Sequence, residues 1–160
     1  MVNLEINNLT ASRIPGALLK KSAKKTIKEL KIRKDTEISL VFVGAGRMKR
    51  LNKFWRGKNR VTDVLAFNLN QANKIKKNKF LPEENFIGPL DNVLRLGEII
   101  ICLPVAKKQA KIREYSLDRE LTVLLIHGIL HLGGYDHEKS EKEEKKMMEK
   151  QEEILSKLKI

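Results

Sequence analysis

A chain of 160 residues with 41% hydrophobic content is long enough to bury a substantial core and reads most simply as one domain, residues 1–160. Its single cysteine, Cys102, excludes a disulfide scaffold and a thiolate-rich metal shell, and no stretch reaches membrane-spanning length. The formal charge of +13 is unevenly spread, with 25 Lys and Arg against 9 Asp and Glu over residues 1–113, but 8 against 11 over residues 114–160. A one-sided basic field concentrates polyanions, and nucleic acid is the commonest of these in a cell. Adaptation to heat or solubility alone would enrich both signs together.

Val2-Asn-Leu-Glu-Ile-Asn alternates apolar and polar residues and reads as a strand, with no signal-peptide run. Pro15 suits a helix start, and Ala17, Leu18, Ala23, Ile27 and Leu30 keep a helical period. Glu37–Val43 is a second strand, closed by Gly44-Ala-Gly46. Met48, Leu51 and Trp55 mark one side of a short helix ending near Gly57, with Trp55 read as core. Val61–Phe67 is a third strand. From Asn68 to about Leu94 the pattern lapses into a loop carrying Lys74, Lys76, Lys77 and Lys79. Leu96–Leu103 is the most apolar strand and is expected at the centre of the sheet. Cys102, within it, reads as a reduced, packed thiol, which points to the cytoplasm.

Pro104 opens a helix towards Tyr115. Ser116 is placed to cap a long helix from Leu117 through His131, and Glu138–Lys159 is a charged helix with Met147, Met148, Ile154, Leu155 and Leu158 on its buried side. No internal repeat or domain boundary interrupts this order. It predicts a mixed α/β (α+β-like) layer, with helices packed on a four-stranded sheet.

All three histidines lie in His127-Gly-Ile-Leu-His131-Leu-Gly-Gly-Tyr-Asp-His137. Four residues apart on a helix, His127 and His131 project from one face. Gly133-Gly134 supplies positive-φ residues to reverse the chain and return His137 to the same point. A buried histidine commonly just hydrogen-bonds inside a core. Three at this spacing, with none elsewhere, instead describe a metal centre with one open position, as in catalytic zinc sites. Metzincin peptidases share the spacing, but they carry after the first histidine the glutamate that serves as general base. Gly128 stands there in this chain, which disfavours peptide cleavage.

The motifs resemble the YbeY family of bacterial metal-dependent endoribonucleases. The histidine block matches the family's H-G-x-L-H-L-x-G-Y-D-H. Leu51-Asn52, Trp55-Arg56-Gly57-Lys58 and Thr62–Phe67 form a second block, and Leu96–Ile101 a third. Val61, Ala66, Glu98 and Trp55 depart from the usual Pro, Ser, Asp and Tyr, and the lysine-rich stretch near residues 74–79 has no family counterpart. The resemblance implies a zincin-like fold and one Zn2+ per chain on His127, His131 and His137. It further implies cleavage of single-stranded RNA in 16S rRNA 3′-end maturation and ribosome quality control. The small ribosomal subunit is the implied partner, and neither DNA nor membrane is expected.

Arg56 corresponds to the family's functional arginine, and its guanidinium fork suits phosphate oxygens. The catalytic set is thus Arg56, His127, His131 and His137. The proton acceptor has three candidates: the metal's own water, a substrate 2′-hydroxyl, and Asp136, which is better suited to orienting a histidine. Two alternatives stand beside the nuclease: a metzincin-like peptidase, and a ribosome-assembly factor with a structural zinc.

Overall fold

The structure, a computed structural model, describes residues 1–69, 92–158 and 160. The lysine group at 74–79 lies outside the described residues. Nine elements follow in order: β1 (Val2–Asn8), α1 (Gly16–Glu29), β2 (Thr36–Val43), α2 (Ala45–Arg56), β3 (Val64–Asn68), β4 (Leu94–Cys102), α3 (Leu103–Ile112), α4 (Leu117–Leu132) and α5 (Glu141–Leu158). The four strands form one mixed sheet in the order β1-β2-β4-β3. β1 and β4 each run parallel to β2, while β3 runs antiparallel to β4 along the sheet edge. β4 is an interior strand, as expected of the most apolar one.

Alternation along the strands divides the core. Ile38, Leu40, Phe42, Ile99 and Ile101 face the layer formed by α1 and α4. Val43, Leu65, Ile100 and Cys102 point to the other face, where Met48 of α2 covers them. α4 is buried on nearly every side: Leu121, Leu125 and Ile129 meet the sheet layer, while Ile126 and Leu130 meet Met147, Ile154, Leu155 and Leu158 of α5. Each such side chain contributes roughly 1.5–3 kcal/mol on burial, so α4 is the most strongly held helix. Ser116 caps it by accepting from the Arg119 amide at 3.2 Å. In its first turn the fully buried Glu120 is compensated by Arg113 at 3.0 Å and by the Tyr115 hydroxyl at 2.5 Å. No helix among the described residues is long and apolar enough to cross a membrane.

Four expectations change, the first at Met148, expected on the buried side of α5 but 58% exposed. β3 begins at Val64 rather than Val61, because local side chains capture the backbone before it: Asn52 donates to the Arg60 carbonyl at 2.8 Å, and Asp63 accepts from the Val64 amide at 2.8 Å. Asn68, assigned to the loop, instead closes the strand and donates to the Leu132 carbonyl at 2.7 Å. Trp55 is not core but 60% exposed. The helix stripe through Met48 and Asn52 is buried, yet the last turn of α2 overhangs the edge strand. There, among the described residues, Trp55 meets the rings of Phe67, at 5.7 Å between centroids, and of its neighbour Phe54.

Gly97 lies where β4 shifts register against β2 and has φ +152°; a Cβ there would sit 2.1 Å from the Phe67 carbonyl oxygen. The contact is with backbone, so no side-chain rotation relieves it. Gly97→Ala is expected to destabilise the fold by more than about 2 kcal/mol, read as a lower urea midpoint, because it must push β3 off β4.

Candidate metal centre

α4 carries His127 and His131 on one face, with ring centroids 4.8 Å apart and facing Nε2 atoms 3.2 Å apart. The helix then ends in a tight Schellman turn: the Gly134 amide donates to the His131 carbonyl at 3.0 Å and the Tyr135 amide to the Leu130 carbonyl at 3.0 Å. Gly134 alone supplies the left-handed residue, with φ +98°, while Gly133 keeps a negative φ of −78°. The expected pair of positive-φ glycines is therefore one. The reversal brings the His137 ring to 4.8 Å from His131 and 5.2 Å from His127. One ligand nitrogen from each ring lies within 4.8 Å of the other two, a set able to hold a metal ion.

The donor chemistry fits such an ion. Burial, and then the neighbouring His131, push His127 down to about 4, so it is neutral at pH 7 and has a lone pair to give. Burial and His137 also lower His131. His127 Nδ1 lies 3.2 Å from Gln151 Oε1 on α5. A proton held on Nδ1 by that carbonyl leaves Nε2 free towards the centre, the usual arrangement for a ligating imidazole. Three imidazole nitrogens at close range suit a divalent metal ion, and a site with three protein ligands keeps a fourth position open.

The histidines form one wall of a cleft of about 380 Å³, whose other wall comes from β3, the end of α2 and the segment between them. Arg56, Lys58, Arg60 and Lys139 line it, with the carboxylates of Asp63, Asp136 and Glu138. Arg56 therefore shares the cleft with all three histidines. Its Nη2 donates to the Ala66 carbonyl at 3.2 Å, and its guanidinium lies 5.8 Å from the Phe67 ring. Asp136 hydrogen-bonds the Glu138 amide at 3.0 Å rather than a histidine. It acts on His131 through charge alone, slightly opposing the effect of burial. Glu98 faces Ser39, at 3.5 Å, and does not line the cleft.

Sequence reasoning missed two residues. Gln151 lies on the buried stripe of α5 between Met147 and Ile154, and a lone amide at an apolar position of that period was its signal. Asp63 was seen only as part of a motif. It is fixed between the Val64 amide at 2.8 Å and Gln109 Nε2 at 3.1 Å, on the wall of the cleft.

A family model described as Endoribonuclease YbeY matches residues 5–159. A protein named Endoribonuclease YbeY from Staphylococcus carnosus is 42% identical over 128 residues, covering 80% of this chain and 76% of its own. Another of that name, from a Sulfurihydrogenibium species, is 37% identical over 158 residues, covering 99% and 91%. The solution structure of a Thermotoga maritima protein superposes with a TM-score of 0.58 at 29% identity, covering 99% of this chain and 89% of that one.

Two outcomes test the centre. Gln151→Leu is expected to weaken metal binding about 10–100-fold, measured by competition with a chromogenic chelator, while leaving the fold intact. In the metal-free protein, His127 binds its proton only near pH 4, whereas the unfolded chain binds it near 6.5. The unfolded state thus holds more protons between those values, and stability is lost as pH falls through that window. His127→Gln is expected to flatten this part of the melting-temperature profile.

Proposed function

The chain belongs to the endoribonuclease YbeY family, and from that premise we propose that it cleaves single-stranded RNA in this cleft with one zinc ion per chain, held by His127, His131 and His137. The observation that carries the reading is that a three-imidazole cluster and Arg56 share one cleft. When bound, zinc supplies Lewis acidity to a phosphoryl oxygen and makes water a better nucleophile near neutral pH. The chain's own part is to place the phosphodiester. The Ala66 carbonyl takes one donor of Arg56, which fixes the guanidinium while its other N–H groups remain for phosphate oxygens. That cation sits where phosphoryl transfer gathers negative charge. Lys58 and Arg60 extend the positive wall along the path of the strand. Asp63 and Asp136 are the carboxylates on the cleft wall beside the histidines, placed to receive a proton.

Packing argues against the peptidase alternative. A Cβ on Gly128 would lie 2.8 Å from Ile99 Cγ2, so a glutamate after the first histidine would require the Ile99 side chain to shift. We assign the reaction to 16S rRNA 3′-end maturation and ribosome quality control, on RNA of the small ribosomal subunit in the cytoplasm. Neither DNA nor a membrane takes part in this reading, and residues 1–160 act as one domain.

Metal-loaded protein is expected to cleave single-stranded RNA and to stop when chelator is added. Arg56→Ala is expected to lower kcat about 10²–10³-fold with metal content unchanged. His131→Ala is expected to lose both metal and activity. Intact RNA with fully metal-loaded wild type overturns the nuclease reading. Loss of ribosome association together with the fold in His131→Ala, with no cleavage by wild type, favours a structural zinc.

A further inference from the structure

We propose that Phe54 and Trp55, at the outer end of α2, form a stacking platform that holds an unpaired base of the RNA beside the cleft. The proposal rests on the nuclease reading above. Phe54 is 78% exposed and Trp55 60% exposed, so two adjacent aromatic side chains stand in solvent at one helix end. They are ordered against each other edge to face, 4.9 Å between centroids, and Trp55 leans on Phe67 at 5.7 Å. Phe67 is also the ring beneath the Arg56 guanidinium, at 5.8 Å. The Arg56 guanidinium and the Trp55 ring thus share one neighbour, which sets the platform beside the cation that a phosphate would meet.

The charge around the platform selects the occupant. Residues 45–60 contain Arg47, Lys49, Arg50, Lys53, Arg56, Lys58 and Arg60 and no Asp or Glu. Aromatic faces interleaved with cations and free of carboxylates suit single-stranded nucleic acid, in which the rings take the bases and the cations take the backbone. A second copy of the chain is disfavoured. A two-fold contact through this patch would bring together two copies of a segment that carries seven cations and no carboxylate. The platform also gives a physical reason for selecting single strands, since a base within a duplex is already stacked and cannot lie on Trp55.

Trp55 is the only tryptophan in the chain, so its fluorescence reports the platform directly. The metal-loaded full chain is titrated with a short nuclease-resistant 2′-O-methyl phosphorothioate RNA, and with the same backbone lacking bases. Binding is followed by anisotropy of a label on the RNA and by Trp55 emission. The base-bearing strand is expected to quench Trp55 and to bind about tenfold more tightly than the abasic one. Trp55→Ala is expected to abolish that preference without changing abasic affinity, and Trp55→Phe to restore most of it. Equal affinity for the two strands, with unchanged Trp55 emission, overturns the platform while leaving RNA binding in place. Failure of both strands to bind overturns the platform and the nuclease reading together. A dimer that forms without RNA and is dissolved by Trp55→Ala assigns the patch to a second copy and also overturns the proposal.

Discussion

The seat of α4 on the sheet is the contact from which the site follows. Gly128 lets the helix backbone lie directly on Ile99 of the central strand; a Cβ at that position would come within 2.8–2.9 Å of two Ile99 carbons. With the axis held that close, Leu125 and Ile129 are fully buried, and His127 and His131 are turned to the flank of the helix, towards the cleft. The same contact crowds any side chain after the first histidine against Ile99. Arg56 reaches the cleft from the opposite wall.

Holding three imidazoles together is unfavourable unless something repays it. Burial disfavours charge on His127 and His131, and a neighbouring imidazole depresses each of them further. Their lone pairs nonetheless converge, with Nε2 atoms of His127 and His131 only 3.2 Å apart. A divalent cation removes this conflict by accepting the lone pairs that otherwise face one another. Metal binding and local order are then linked, since the third ligand stands outside α4, held by the hydrogen bonds of the Gly134 turn and by the packing of Tyr135 against the α5 cluster.

The features legible in the sequence were those with a strong local period or a short spacing. The central place of β4, the cap at Ser116 and the convergence of His127, His131 and His137 all rest on residues close together in the chain. What escaped depends on where elements meet. Trp55 keeps a helical period with Met48, but its burial depended on whether α2 ends above the sheet or beyond its edge, and it ends beyond. Gln151 reaches His127 across 24 residues, and its role exists only because α5 packs on α4. Val61 failed as a strand residue because Asn52, nine positions earlier, draws the chain into a turn through Arg60.

The division of charge along the chain becomes a division across the cleft. The end of α2 and the segment leading into β3 supply Arg56, Lys58 and Arg60 on one side. On the other, Asp136 and Glu138 stand beside Lys139. The cations on the first wall attract a polyanion. Screening limits this field to about 8 Å at physiological ionic strength, so it acts within the cleft rather than across the molecule. Within that range it orders the strand before any base is touched. The exposed rings of Phe54 and Trp55 lie on the attractive side, where an incoming strand arrives first.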